Sequence, residues 1–323
     1  MSLKICHWVM RNGSGMNNVA SSLCEGEKKI GLDSVLADPL GSEEQFVWDA
    51  DINVSHTHIP PEVLAKSKAP TVWVAHGSPE HVFRTSMEKT SYGQSDSWML
   101  CQNWLRKADA CVTFWERNRR IWQSMCQRGR TVDLVTLGVD KKFWKKVPSR
   151  GAYAGKPSVL TAENAVWEKT PLDLLLVWGT EIREAIPKAA LHCLYIPHNM
   201  HRWVFPLVNA NGTSYGAYIS GTVLGHEELR NAFNSVDYYI GLVRYGEFNR
   251  MSLEANASGC KTISYRGNPY SDFWLDEGDQ FTYLVPQLTK ILKGEVEPRK
   301  KKKVPDIKET VKEFSQIYER LGR

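Results

Sequence analysis

The sequence lacks the long apolar segments that mark membrane and secreted proteins. No run of about 18 apolar residues occurs in its 323 residues, which argues against an ordinary transmembrane helix. The N-terminal segment MSLKICHWVM is too short and too polar for a signal peptide and is typical of an opening strand. We therefore expect a cytoplasmic protein.

Cysteine pairs and convincing metal motifs are missing as well. The seven cysteines are scattered and none belongs to a Cys-x-x-Cys pair, so we expect reduced thiols. His56 and His58 are spaced to share one face of a strand, and His198 and His201 one face of a helix. A zinc site usually needs more ligands than a pair supplies. The sequence therefore predicts no metal site.

Excess positive charge is modest and is partly concentrated in one run. The net charge is +5, and the run from Arg299 to Lys303 reads RKKKK. Such a run is typical either of a solvated linker or of a peripheral contact with anionic lipid head groups. No recognised nucleic-acid motif or basic stripe accompanies it, so nucleic acid is not an expected partner.

What is present is a repeated alternation of short apolar runs and helical stretches, which predicts parallel α/β structure. A segment at 145–157, with two prolines and two glycines, interrupts the alternation and is typical of a linker. The tail at 306–323 has apolar residues at helical spacing and predicts an amphipathic helix that packs elsewhere, back on the first domain. The predicted strands are 3–10, 34–37, 52–56, 71–76, 110–114 and 133–137, then 158–162, 191–195, 217–220, 238–241 and 262–265.

Two turns in the first half are candidate ligand contacts. Gly13 and Gly15 follow the first strand and precede a helix. Free N–H groups at such a helix start suit a diphosphate, although a tight strand-to-helix turn favours the same glycines. His76 ends a predicted strand, where open α/β sheets bind ligands. It is suited to a sugar hydroxyl or to a structural hydrogen bond.

Lys169 is a candidate anion contact in the second half. Thr170 and Pro171 are typical of a helix start, since threonine caps a helix and proline fits its first turn. A lysine beside a helix N-terminus is unfavourable on its own, and a bound phosphate would explain it. A solvent-exposed lysine is the alternative interpretation.

The segment 245–259 is the strongest candidate site. A loop with Gly246 and Glu247 precedes a helix that is predicted to begin near Arg250 and to stop at Gly259. Glu254 falls in the first turns of this helix, where the helix dipole stabilises a carboxylate. It is equally suited to accept hydrogen bonds from a ribose diol. Glu247 is placed to reach a hydroxyl group of the same ligand.

Taken in order, these elements resemble the retaining glycosyltransferases with the GT-B fold, often called family 4. The most specific match is the segment 253–259, which reads LEANASG. The other similar elements are the glycine loop 13–15, the strand and turn 71–77, the segment 137–143 and the segment 168–175.

The resemblance implies a fold and an activity. The fold would be two Rossmann-like domains with parallel sheets facing across a cleft: 1–150 on the acceptor side, 151–305 binding the nucleotide sugar, and a C-terminal helix at 306–323. The activity would be metal-independent transfer of a sugar, with retention of configuration, from a UDP- or GDP-sugar or a similar donor. No further cofactor is implied, and the sequence does not identify the acceptor.

The resemblance also implies roles for individual residues. Glu254 would bind the ribose, and Lys169 and the loop of Gly13 and Gly15 would stabilise the diphosphate. Glu247 and His76 would contact the donor sugar as the catalytic residues.

Two departures from the family pattern bear on activity. Asn164 stands where the family has an arginine, and Gly246 falls at the position of the first family glutamate because only six residues separate Glu247 from Glu254. Arg244, Arg250 and Arg266 are candidates to replace the missing charge. These departures leave an alternative open, a non-catalytic nucleotide- or glycan-binding protein on a degenerate GT-B scaffold.

Overall fold

The computed structural model describes most of the chain as two compact units. The first unit comprises Met1–Asp140 and Pro305–Arg323, and the second comprises Lys141–Val304. The described residues are 2–10, 15–90, 97–127, 130–149, 151, 153–163, 171–196, 216–220, 224–244 and 249–322.

The first unit is built on a six-stranded sheet whose described strand pairs are all parallel, in the order β2-β1-β3-β4-β5-β6. Parallel pairing follows from the helices that connect successive strands. Its strands are β1 (Lys4–Trp8), β2 (Asp33–Ala37), β3 (Ile52–Ser55), β4 (Thr71–Ala75), β5 (Ala110–Thr113) and β6 (Val132–Leu134).

Helices cover both faces of this sheet, which explains why its strands are apolar on both sides. In β1, Cys6 and Trp8 belong to the apolar cluster on one face, whereas His7 contacts α1 on the other. The helices are α1 (Gly15–Lys29), α2 (Pro61–Lys66), α3 (Pro79–Thr90), α4 (Ser97–Lys107) and α5 (Glu116–Met125). The sequence patterns did not single out α2 or α3.

The C-terminal helix packs within the first unit, against α1. It spans Ile307–Leu321, and its N-cap Asp306 accepts a hydrogen bond from the backbone N–H of Lys308. Its register is fixed by polar contacts of Thr310 and Glu313 to the segment after β6. Gly138 N donates to Thr310 Oγ1 at 2.9 Å, and Thr136 Oγ1 donates to Glu313 Oε1 at 3.0 Å.

The second unit repeats the architecture with a sheet of six parallel strands among the described residues, in the order β12-β11-β10-β7-β8-β9. The predicted parallel α/β fold is therefore confirmed in both halves. The strands are β7 (Ser158–Thr161), β8 (Ala190–Cys193), β9 (Ala217–Ile219), β10 (Tyr238–Gly241), β11 (Lys261–Tyr265) and β12 (Phe273–Leu275), the last of which the sequence patterns missed.

Helices of the second unit pack on this sheet around a large apolar cluster. A π-helical turn, Trp178–Ile182, joins the first two of them, and another, Gln280–Leu284, precedes a later one. The helices are α6 (Pro171–Val177), α7 (Arg183–Ala185), α8 (His226–Ser235), α9 (Arg250–Ala257) and α10 (Val285–Leu292), so that the C-terminal helix Ile307–Leu321 is α11.

The proline- and glycine-bearing segment 145–157 belongs to the second unit, and the boundary between the units precedes it. Lys156 N donates to Lys188 O at 2.7 Å, and the ring of Tyr153 packs edge-on against His192. Gly155 has φ of 101°, a backbone conformation that favours glycine, and a Cβ there would overlap Ala190 of β8. The segment therefore packs against β8 and the turn before it.

All seven cysteines are free, as expected for reduced thiols. Among the described residues, no helix is long and apolar enough to cross a membrane, and no cluster of His, Cys, Asp or Glu side chains is arranged to hold a metal ion.

Gly138→Ala is expected to destabilise the first unit. A Cβ at position 138 would overlap the backbone carbonyl of Asp306, and backbone cannot move aside as cheaply as a flexible side chain. Overpacking of this kind costs about 1–3 kcal/mol, which urea unfolding would measure. Gly151→Ala is the matched control, because a Cβ there meets nothing within 4 Å. Equal unfolding midpoints for the two variants would contradict the close approach.

Candidate functional site

In the first unit, Gly15 and His76 lie at the carboxyl ends of strands in one sheet. Gly15 begins α1, which follows β1, and the space beside its Cα is open. His76 follows β4 directly and is partly exposed. Carboxyl ends of parallel strands are where open α/β sheets bind ligands. Both residues are therefore placed where a ligand of this unit would be expected.

His76 is hydrogen-bonded to a second imidazole. Its Nε2 lies 2.8 Å from Nδ1 of His56, and its ring is 5.7 Å from that of Phe114. Burial lowers the pKa of His76 to about 3, so its ring is neutral near pH 7. The expectation that His56 and His58 share a strand face is wrong, because β3 ends at Ser55. His56 instead lies between two other imidazoles.

In the second unit, the helix signature forms α9 as predicted, and Glu254 faces inward. Asn249 caps the helix by accepting a hydrogen bond from Ser252 N at 2.8 Å, and Gly259 follows its end with φ of 86°. Glu254 is only 5% exposed, and its Oε1 accepts a hydrogen bond from Arg250 Nε at 2.8 Å.

The protonation of Glu254 is set by two opposing effects. Burial raises the pKa of Glu254, and the neighbouring Arg250 and His226 oppose the rise. Within the described part of the chain, its second oxygen, Oε2, accepts no hydrogen bond. The side chain therefore keeps an acceptor for a further donor.

A second buried carboxylate, Glu163, was not identified from the sequence. It lies just after β7 with no exposed surface, and its Oε1 accepts hydrogen bonds from Tyr239 Oη at 2.7 Å and from the side chain of Asn249. Burial first, and then Glu163, raise the pKa of Tyr239 well above its usual value. Glu163 thus ties β7 and β10 to the N-terminus of α9. The signal in the sequence that could have identified Glu163 is its position as a polar residue directly after the predicted apolar strand 158–162.

Tyr195 was also missed and adopts an unusual backbone conformation. It follows β8 with φ of 62°, the one left-handed non-glycine residue in the described ranges. Burial raises the pKa of its hydroxyl, and the charges of Glu254 and Glu163 add to the rise. Left-handed residues of this kind are concentrated at functional sites. Nothing in the sequence indicates the conformation.

The three arginines considered as replacements for the missing charge are each paired with a carboxylate. Arg244 Nη2 lies 3.0 Å from Asp173 Oδ2, and Arg266 Nε lies 2.7 Å from Asp276 Oδ1. Arg250 pairs with Glu254 as described. Any of them would have to share its charge between its carboxylate partner and a bound diphosphate.

The basic run is partly neutralised by its own unit. Arg299 stacks on the ring of Trp274, with its guanidinium carbon 3.2 Å from the ring centroid, and Lys301 Nζ lies 2.6 Å from Asp272 Oδ1. Two of its five cations therefore have partners within the unit. Lys300, Lys302 and Lys303 are exposed.

Several predicted site residues lie outside the described residues. These are Gly13, Asn164, Lys169, Gly246 and Glu247, and also His198 and His201. Their predicted roles stay predictions, and the predicted site residues that the structure describes are Gly15 and His76 in the first unit and Glu254 in the second.

The architecture is similar to that of solved glycosyltransferases. Sucrose-phosphate synthase from Thermosynechococcus elongatus matches 99% of this chain and 94% of its own at 12% identity, with a TM-score of 0.73. HepE of Anabaena, solved with UDP and glucose, matches 99% of this chain and 97% of its own at 12% identity and a TM-score of 0.63. An alpha-glucosyltransferase, solved with UDP and a DNA 13-mer, matches 98% of this chain and 100% of its own at 13% identity and 0.62.

At these identities the similarity establishes the fold, which is GT-B. No protein-family model matches the sequence, and a search of curated proteins finds no match either. Activity has to be argued from the site, since one fold hosts many functions.

Arg250→Met is expected to make stability depend more strongly on pH. Because the folded pKa of Glu254 is raised above its usual value of 4.5, the folded state binds more protons than the unfolded state above that pH. The free energy of unfolding therefore falls as pH rises through this range. Without Arg250 the fall should extend to higher pH and reach about 3 kcal/mol, as for other broken buried pairs.

Chemical unfolding at a series of pH values would measure this effect. Arg266→Met is the matched control, because its ion pair with Asp276 is exposed, at 62% and 43% for the two side chains, and such pairs contribute little. If both variants followed the same pH dependence, the pairing of Arg250 with Glu254 would not set the protonation of that carboxylate.

Proposed function

We propose that the protein is a glycosyltransferase that transfers a sugar from a nucleoside-diphosphate sugar to a hydroxyl-bearing acceptor. The observation that carries the proposal is Glu254, a buried carboxylate on α9 of a GT-B fold with one oxygen paired to Arg250. In the described residues its other oxygen accepts no hydrogen bond. A buried carboxylate with one oxygen available as an acceptor is suited to a ribose diol, whose hydroxyl groups would donate hydrogen bonds to it.

The binding of UDP by similar structures supports the nature of the donor. HepE and the alpha-glucosyltransferase were both solved with UDP, and a uridine nucleotide is accordingly the first donor to test. In this proposal, Lys169 and the amides near Gly15 stabilise the diphosphate. His76 and Glu247 contact the sugar.

Retention of configuration and independence of metal ions belong to the same proposal. They are supported by the resemblance of the segment LEANASG at 253–259 to the retaining family. The leaving diphosphate would then be stabilised by cations and backbone amides of the protein, which is the main electrostatic task in such a transfer.

Nucleotide sugars should release nucleoside diphosphate in the presence of this protein, and Lys169→Ala should lower the rate at least about tenfold. One charge-assisted contact to a leaving group is worth about 2–4 kcal/mol. Glu254→Gln, which keeps the shape of the side chain, should weaken nucleotide binding about tenfold in calorimetry, because a hydrogen bond to a charged group is worth about 1.5–3 kcal/mol. A thermal-shift screen of UDP, GDP, ADP and their sugars would choose the donor.

The outcomes of this assay separate the two classes of function. Nucleotide binding without release for any sugar donor and acceptor would favour the non-catalytic binding protein. Unchanged affinity in Glu254→Gln would limit that residue to supporting α9. Arg120→Gln, at the exposed pair with Glu116 on α5 of the first unit, is the matched control and should change neither quantity.

We also propose that Lys300, Lys302 and Lys303 contact anionic lipid. They are exposed, whereas Arg299 and Lys301 are held by Trp274 and Asp272. Vesicles containing phosphatidylserine should co-sediment with the protein at low salt and release it at high salt. Charge reversal of the three lysines should abolish binding, whereas reversal of the exposed Lys107, Lys141 and Lys145 should not. Equal loss of vesicle binding in both variants would mean that the binding depends only on the net charge of the protein.

A further inference from the structure

A continuous chain of hydrogen bonds runs through the interior of the first unit and ends at His76. Tyr318 Oη donates to Glu27 Oε1 at 2.8 Å, and Glu27 Oε2 lies 2.8 Å from His7 Nε2. His7 Nδ1 lies 3.0 Å from His56 Nε2, and His56 Nδ1 lies 2.8 Å from His76 Nε2. Three imidazoles thus connect a buried carboxylate to a residue of the candidate site.

The sheet explains why the imidazoles are in line. Strands β1, β3 and β4 are neighbours in the sheet, and the three histidines belong to these strands or follow them directly. His7 is in β1, His56 comes one residue after β3, and His76 one residue after β4. The backbone N–H of His56 donates to Trp8 O at 3.0 Å, which holds the middle imidazole beside β1.

Glu27 determines the direction of every hydrogen bond in the chain. It has no exposed surface and also accepts from Ser34 Oγ at 2.6 Å. A carboxylate oxygen accepts hydrogen bonds, so the third group against it, His7 Nε2, donates as well. With His7 as a neutral imidazole, which carries one proton, its Nδ1 is then an acceptor.

The same reasoning assigns the donor and acceptor nitrogens of the other two rings. His56 Nε2 donates to His7 and leaves its Nδ1 to accept from His76 Nε2. Burial lowers the pKa of His56 well below its usual range, with the neighbouring His76 and His7 adding to the effect, and burial also lowers that of His76. Both rings are therefore neutral near pH 7, and His76 Nδ1 carries a lone pair rather than a proton.

His76 Nδ1 is the open end of the chain. No hydrogen bond to this atom comes from any residue that the structure describes. His7 and His56 are buried, whereas His76 is partly exposed. Among the described residues, the other titratable groups beside Glu27 are Cys24 on α1 and Tyr318 on α11, and burial raises the pKa of both. They stay neutral and do not compete with Glu27.

We propose that Glu27, His7 and His56 form a hydrogen-bond relay that holds His76 as its Nε2–H tautomer and presents Nδ1 as an acceptor to a hydroxyl group of a bound sugar. Glu27, His7 and His56 are positioning residues, because they act on the ligand through His76. That the hydroxyl belongs to a sugar rests on the proposed function, whereas the tautomer does not.

Nitrogen NMR of the full-length protein with 15N-labelled histidine tests the tautomer without any assay of transfer. The His76→Gln spectrum identifies the resonances of His76 among the nine histidines. We expect His76 with a protonated Nε2 and a bare Nδ1 at neutral pH. In Glu27→Gln the neutral amide can donate as well as accept, so His76 should populate both tautomers. A protonated Nδ1 in the unaltered protein, or an unchanged His76 spectrum in Glu27→Gln, would overturn the relay.

Tyr318→Phe is the matched control for Glu27→Gln. It removes one donor from Glu27 and keeps the carboxylate and its contact with His7, so the tautomer of His76 should not change. A changed tautomer in Tyr318→Phe would assign the effect to disturbed packing around α11. The spectrum of the unaltered protein decides the question even if Glu27→Gln fails to fold.

Addition of UDP-glucose distinguishes failure of the relay from failure of the proposed function. The Nδ1 resonance of His76 should shift on binding. An unshifted Nδ1 with binding detected by calorimetry would overturn the sugar contact and leave the tautomer standing. The expected tautomer with no binding of any nucleotide sugar would count against the glycosyltransferase alone, whereas the wrong tautomer with normal transfer would count against the relay alone.

Discussion

The first unit depends on one buried charge, the carboxylate of Glu27. It accepts hydrogen bonds from β1 through His7, from β2 through Ser34 and from the C-terminal helix through Tyr318. An ionised group without exposed surface is tolerated only when donors surround it on every side. The same carboxylate therefore joins α1 to β1, β2 and α11, and it is the first hydrogen-bond partner of the three imidazoles.

The second unit uses a related device for a different purpose. Glu163 joins β7, β10 and the N-cap of α9 through Tyr239 and Asn249. It contributes rigidity to the helix that carries Glu254, which a carboxylate needs if it is to meet a ligand with little loss of entropy. In each unit a glutamate without exposed surface is linked by hydrogen bonds towards a predicted site residue. Glu27 is linked through His7 and His56 to His76, and Glu163 is linked to Asn249, the N-cap of the helix that carries Glu254.

Much of this fold could be predicted from the sequence, because buried parallel strands are short apolar runs and the helices between them carry clear start and stop residues. The position of Glu254 on α9 also followed from its local motif. The hydrogen-bond chain could not be predicted, because His7, Glu27 and Tyr318 are far apart in sequence and meet only through strand order and helix packing. The pairing of Arg299 with Trp274 was missed for the same reason, since β12 itself was not predicted. The role of a local motif can be predicted from neighbouring residues. Contacts between residues that are far apart in sequence can be predicted only when the order and register of the strands are known.

The division of the first unit between the two ends of the chain has a consequence for biosynthesis. Because this unit needs Pro305–Arg323 as well as Met1–Asp140, the ribosome completes the second unit before the first one has all of its parts. Until α11 emerges, Glu27 lacks its tyrosine donor, and the face of α1 that α11 covers stays open to solvent. The fold of the earlier part of the polypeptide is therefore completed only after the last helix has been synthesised.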